Sequence, residues 1–83
     1  MGKKYSKEEI YEKIRTTLID DFEINESLVK PEAKMFEDLD FDSIDAIDLA
    51  VKLQRYTNKK LPAEKFKSIR TVQDIVDAVY ELI

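Results

Sequence analysis

An all-α, four-helix bundle with a long first loop and a short third helix is the fold class this sequence predicts. Three observations carry it. Apolar residues recur at spacings of three and four in three stretches, near residues 10–22, 46–56 and 72–83. Each of these stretches opens on a residue that can cap a helix. No part of the chain reads as a strand.

The first helix is expected from about residue 7 to 21. Ser6-Lys7-Glu8-Glu9 is a capping box, in which the Ser6 hydroxyl bonds the Glu9 amide and Glu9 reaches back. Ile10, Tyr11, Ile14, Leu18 and Phe22 then form one apolar stripe. From Glu23 to Phe41 the periodicity is lost, and Pro31 pushes Lys30 toward extended geometry. Nearly twenty residues is long for a connection in so small a domain. Ile24, Leu28, Val29, Met35, Phe36 and Leu39 are expected to pin it to the helices as core filler.

The second helix starts near Ser43, capped by Asp42 or Ser43, with Asp45 and Asp48 near the positive end of its dipole. Its apolar residues divide into two faces. Ala46, Leu49, Ala50, Leu53 and Tyr56 make a broad stripe assigned to the core, and Ile44, Ile47 and Val51 lie almost opposite. That second face is either covered by the long loop or is a docking surface rimmed by charge; its closeness to Ser43 favours docking. Asn58 supplies the turn that ends the helix. Leu61-Pro62-Ala63-Glu64-Lys65-Phe66 reads as a short helical turn with Pro62 at its first position. Thr71-Val72-Gln73-Asp74 caps the last helix, whose stripe is Val72, Ile75, Val76, Val79, Leu82 and Ile83.

Composition narrows the function. Eighty-three residues make one domain, which buries only about 60% of its unfolded surface. With no cysteine and no histidine, the chain lacks thiolate chemistry, the commonest general base and the commonest metal ligand. It is not expected to be an enzyme. A net charge of −4 argues against nonspecific nucleic-acid binding. No apolar run reaches membrane-spanning length, and residues 1–10 lack the apolar core of a signal peptide. Met1-Gly2-Lys3-Lys4-Tyr5-Ser6 fits the loose N-myristoylation pattern, but that pattern is short and common, and Ser6 already serves as a cap. A soluble, cytoplasmic monomer is expected.

Chemistry concentrates between Glu37 and Asp48, where six acids and no base surround one hydroxyl, Ser43. Asp38, Asp40 and Asp42 alternate like the opening of an EF-hand loop. The rest of that pattern fails, with Ser43 at the sharp-turn glycine and Leu49 at the bidentate glutamate. Weak divalent binding by the clustered acids stays open, and no metal site is assigned. A second reading makes Ser43 a mere cap within a solvated acidic face. A third makes it a modification site. An exposed hydroxyl without a local base is a poor nucleophile, yet it can be an acceptor when another enzyme brings the activation. The acids would then be an address that basic enzymes read.

The run Leu39-Asp40-Phe41-Asp42-Ser43-Ile44-Asp45-Ala46-Ile47-Asp48-Leu49 resembles the signature of acyl carrier proteins, in which Asp-Ser-Leu-Asp opens the second helix. The resemblance takes in Pro31-Glu32-Ala33, Leu61-Pro62 and Ile69-Arg70-Thr71-Val72-Gln73-Asp74, so that residues 1–83 form a single carrier domain. It implies that a phosphopantetheinyl transferase attaches 4′-phosphopantetheine from coenzyme A to Ser43. The arm's thiol would supply the sulfur this chain lacks and hold acyl groups as thioesters. It further implies that Asp42, Ile44, Asp45, Ile47, Asp48 and Val51 face partner enzymes of the acyltransferase, ketosynthase and reductase kinds. Leu49, Leu53, Ile69 and Val76 would line the space for an acyl chain.

Two departures stand out. The small residue, usually glycine, that such proteins place shortly before the serine is replaced by Asp40-Phe41. The far half of the second helix, usually acidic in fatty-acid carriers, reads Lys52-Leu53-Gln54-Arg55, and from Lys52 to Arg70 seven basic residues face one acid, Glu64. This split in charge should reject partners built for a uniformly acidic helix. It suggests a carrier dedicated to one pathway, similar to those of aryl-polyene or other type II polyketide-like systems. The reading from another class is a small acidic adaptor that is never modified.

Overall fold

The computed structural model describes residues 5–61 and 68–83. Among them are three α-helices, α1 (Lys7–Asp20), α2 (Ser43–Thr57) and α3 (Val72–Leu82), and a 3-10 turn at Glu26–Leu28. The only extended pairing among the described residues is an isolated antiparallel bridge between Lys34 and Thr71. The all-helical class therefore stands on three helices. The short helix expected over 61–66 falls on residues 62–67, outside those described.

Each helix begins where its cap places it. The Ser6 hydroxyl accepts from the Glu9 amide at 3.2 Å, and Glu9 accepts from the Ser6 amide at the same distance. One residue sooner than expected, α1 ends, and Glu23 turns the chain away with φ of 55° while the Ile24 amide donates to the Leu18 carbonyl. Asn58 ends α2 in the left-handed conformation the sequence suggested. At α3 the Thr71 hydroxyl accepts from the Asp74 amide, and the Asp74 carboxylate accepts from the amides of Arg70 and Thr71.

The Arg70 and Thr71 amides lower the pKa of Asp74 below its ordinary 3.8, against a smaller opposing effect of burial. A carboxylate depressed in the folded state stabilises the fold above its unfolded value, and that contribution is lost as pH falls through the lower folded value. Below about pH 4, Asp74→Asn should therefore flatten the acid-induced fall of the melting temperature relative to wild type. An identical acid limb in both proteins would show that the cap contributes nothing.

The helices meet over Ile10, Ile14 and Leu18 of α1, Leu49, Ala50 and Leu53 of α2, and Val72, Ile75, Val76 and Val79 of α3, all buried. Ala46 and Tyr56, expected in the α2 core stripe, are half-buried at its margins. Thr17 and Thr57 are buried as well, each satisfying its hydroxyl on the carbonyl four residues earlier.

The long α1–α2 loop is tied down by backbone as well as by side chains. The Met35 amide donates to the Arg70 carbonyl at 2.8 Å, the Val72 amide to Ala33 at 3.0 Å and the Gln73 amide to Pro31 at 2.9 Å. These bonds strap the loop to the start of α3. Val29, Met35 and Leu39 enter the core as expected, joined by Ala33 and Phe41, and Ile24 is half-buried against it. Leu28 and Phe36 do not follow the core-filler expectation, being 46% exposed each. Leu28 sits in the 3-10 turn, and Phe36 lies beyond the last loop residue strapped to α3, so neither is drawn inward.

Asp40 adopts φ of 58°, where a Cβ is strained and glycine is at ease. The position where the resemblance implies a small residue is thus filled by one of the few residues that tolerate this backbone. Relieving the left-handed penalty outweighs the added chain entropy, so Asp40→Gly should raise stability by roughly 0.5 kcal/mol in urea unfolding. A loss of stability would mean that the Asp40 side chain contributes more than its backbone strain costs.

Candidate functional site

The acidic junction resolves into a cap, a free hydroxyl and an exposed face. Asp42 is the N-cap of α2: its Oδ1 accepts from the Asp45 amide at 2.9 Å, and Asp45 Oδ2 accepts from the Asp42 amide at 3.3 Å. This reciprocal pair is a capping box made from two aspartates. Ser43 is the first helical residue and is exposed, and its hydroxyl makes no hydrogen bond among the described residues. The cap is Asp42, not Ser43, so the serine oxygen is left free for chemistry.

Phe41 holds the cap in place. It is buried, packs on Phe22 with ring centroids 5.0 Å apart, and shares a crevice with Ala46. An apolar residue just before the cap packing toward the fourth helical residue is a hydrophobic staple, which fixes the direction from which the chain approaches the helix. Phe41 was not among the residues expected to fill the core. The signal was present in its place one before Asp42, with Ala46 five residues on.

Beyond the cap, Ile44 is 74%, Ile47 62% and Val51 40% exposed, and Asp48 is exposed beside them. The loop does not cover this face. Its three branched side chains and Asp48 project to solvent, whereas Asp45 is half-buried and, like Asp42, committed to the cap. Of the three aspartates expected to address partners, Asp48 alone spends its whole charge outward. Asp38 is turned to the backbone as well, accepting from the Lys34 amide at 2.9 Å, and Glu37 pairs with Lys34 Nζ at 3.3 Å. No three acids converge on a point that could hold a metal ion among the described residues.

Leu49, Leu53, Ile69 and Val76 come together in the core, all buried. No one cavity among the described residues is lined by all four: Val76 borders a surface groove of about 400 Å³ with Tyr11 and Pro31, and Ile69 borders one of about 300 Å³ with Asp74 and Ala78 as well as a crevice of about 10 Å³ with Met35, Phe36, Phe41, Ala46 and Ile75.

On the basic side, Lys52 is only half free, with Nζ 3.5 Å from Asp21 Oδ2. Arg55 is exposed in the last turn of α2, where a cation suits the negative end of the helix.

The residues at the junction fit a phosphodiester-linked group. The Ser43 oxygen is exposed and makes no hydrogen bond among the described residues, and the first amides of α2 present the positive end of a helix to an anion placed there. A family model described as phosphopantetheine attachment site matches residues 12–79. The chain is 51% identical over 75 residues to acyl carrier protein 2 of Ralstonia nicotianae, covering 90% of this chain and 93% of that one. It is 39% identical, with the same coverage, to an acyl carrier protein of Rubrobacter xylanophilus. The crystal structure of an acyl carrier protein from Thermotoga maritima superposes with a TM-score of 0.79 at 26% identity, over 92% of this chain and 88% of the other. No described helix is long and apolar enough to cross a membrane.

Proposed function

Because this chain belongs to the acyl carrier protein family, whose members bear a 4′-phosphopantetheine group, we propose that Ser43 is where that group is attached. The observation that carries the proposal is the free, exposed Ser43 hydroxyl at the start of α2, released from capping by Asp42. When bound, the group supplies a thiol that holds acyl chains as thioesters, a function no side chain of this cysteine-free protein can perform. With no base hydrogen-bonded to it among the described residues, Ser43 would depend on a phosphopantetheinyl transferase to take up its proton as the serine oxygen–phosphorus bond forms and the pyrophosphate bond of coenzyme A breaks, with adenosine 3′,5′-bisphosphate as the leaving group.

The remaining parts fall into roles around that attachment. Asp42 and Asp45 fix the direction of the first turn, and an anion on Ser43 gains from the helix dipole, by about 0.3–1 kcal/mol. Ile44, Ile47 and Val51 give synthase enzymes an apolar grip beside Asp48. Leu49, Leu53, Ile69 and Val76 separate to admit an acyl chain, since all four are buried. The chain works as a cytoplasmic monomer.

The charge split favours a dedicated pathway, of polyketide or aryl-polyene kind, over general fatty acid synthesis. Arg55→Glu, and Arg55→Glu with Lys52→Glu, should raise the rate at which fatty-acid synthase enzymes act on the loaded protein. The double variant also loses the Lys52–Asp21 pair, a surface pair worth at most about 1 kcal/mol, so the single variant is the cleaner probe. Unchanged or slower turnover in both would refute the charge argument. The attachment itself is tested by incubating the protein with coenzyme A and a broad-specificity transferase. The intact mass should rise by one phosphopantetheine, and an unchanged mass would leave the chain an unmodified adaptor.

A further inference from the structure

Just past the end of α1, two adjacent side chains reach α2 and the turn that leads into it. The Asp21 carboxylate lies 3.5 Å from Lys52 Nζ, and the Phe22 ring packs on Phe41 with centroids 5.0 Å apart and planes tilted by 45°. In sequence these two partners bracket residues 42–51, the stretch that holds Ser43 and the exposed face. The backbone turns sharply beside each ring. Glu23, directly after Phe22, has φ of 55°, and Asp40, directly before Phe41, has φ of 58°. Both are left-handed positions at which a Cβ is strained.

Phe41 is fixed through both backbone and ring. Its amide donates to the Met35 carbonyl at 3.0 Å, and its buried ring rests on Phe22. The Asp42–Asp45 box that follows is uneven, with one bond of 2.9 Å and a longer return bond of 3.3 Å. The Ala46 amide makes the first backbone bond of the helix, to the Asp42 carbonyl at 3.1 Å. Ser43 lies inside this turn, and its hydroxyl has no hydrogen bond of its own among the described residues. The direction of that hydroxyl is therefore inherited from Phe41 and Asp42. Resting on the reading of Ser43 as the attachment site, we infer that Phe22 is a positioning residue for the loading step, acting through Phe41 and the Asp42 cap.

The chemistry of loading gives this position its weight. The Ser43 oxygen bonds to phosphorus, its proton passes to the transferase, and the pyrophosphate bond of coenzyme A breaks to release adenosine 3′,5′-bisphosphate. The oxygen must come within roughly 3–3.5 Å of phosphorus with its orbitals aligned, and a fraying first turn spreads it over directions that cannot react. The docking face is held differently. Ile47, Asp48 and Val51 lie a turn or more beyond Ser43, on a segment anchored by the buried Leu49, Ala50 and Leu53. Loss of the Phe22 ring should therefore slow the step within the bound complex and leave docking unchanged.

Loading kinetics with coenzyme A and a broad-specificity transferase, followed by intact mass, read the two effects separately. Phe22→Ala should lower kcat by about tenfold, with KM for the carrier within about twofold of wild type. Phe22→Leu, which keeps apolar bulk without the ring, should lose only about twofold in kcat, and it carries the test if the alanine variant does not fold. Deuterium exchange at the Asp45 and Ala46 amides should quicken more in Phe22→Ala than exchange at Leu53 and Gln54. Val79→Ala, a buried truncation further along α3, controls for general loss of stability and should keep the wild-type kcat. A Phe22→Ala protein that loads at the wild-type kcat, a change confined to KM, or an equal loss of kcat in Val79→Ala would overturn the inference. Wild type that gains no mass would remove the attachment reading, and this inference with it.

Discussion

Ile14→Ala should destabilise the fold by about 2–4 kcal/mol, while Ile47→Ala should change stability by less than about 0.5 kcal/mol. The side chains are identical; their surroundings are not. Ile14 is fully buried in the middle of α1, and removing three carbons there leaves a cavity that three helices cannot collapse to fill. Native domains of this size are stable by only about 4–12 kcal/mol, so the loss takes away a large part of the whole. Ile47 is 62% exposed, and its truncation exposes no core.

The order reverses for partner binding. If the face of Ile44, Ile47 and Val51 is what enzymes grip, Ile47→Ala should weaken the transferase or synthase complex by about 1–2 kcal/mol, as a truncated anchor does. A binding titration alongside urea unfolding separates the two effects. An Ile47 variant that binds normally would remove the docking role from this face. An Ile14 variant as stable as wild type would mean the core is not organised as described.

Much of this was legible in the sequence because helices advertise themselves locally. The Ser6–Glu9 and Thr71–Asp74 boxes each lie within four residues, and the stripes of α1, α2 and α3 repeat at the helical period. The two faces of α2 could be separated by angle alone, and burial follows that division. The Asp42–Asp45 box was harder to see, since its cap is aspartate where serine or threonine is usual and Ser43 beside it is a rival cap.

The loop was the least legible part, for a physical reason. Which of its apolar residues turn inward is decided by hydrogen bonds to residues 70–73, far away in sequence, and no local period reports them. Met35 and Phe36 are equally apolar neighbours, yet the strap buries one and leaves the other outside. Asp40-Phe41 looked like added charge and bulk at the attachment site. In the fold the charge sits on a left-handed turn and the bulk is the staple that positions the cap.

The central claim is that the Ser43 oxygen, and no other, accepts the arm. It is tested by loading wild type and Ser43→Ala with coenzyme A and a transferase, then mapping the modified peptide by mass spectrometry. The substitution should leave the fold intact, because Asp42 supplies the cap and the Ser43 hydroxyl bonds to nothing described. The account predicts one added phosphopantetheine on wild type, located at Ser43, and none on the variant. Modification that persists in a folded Ser43→Ala protein, or that maps to another hydroxyl in wild type, would contradict it.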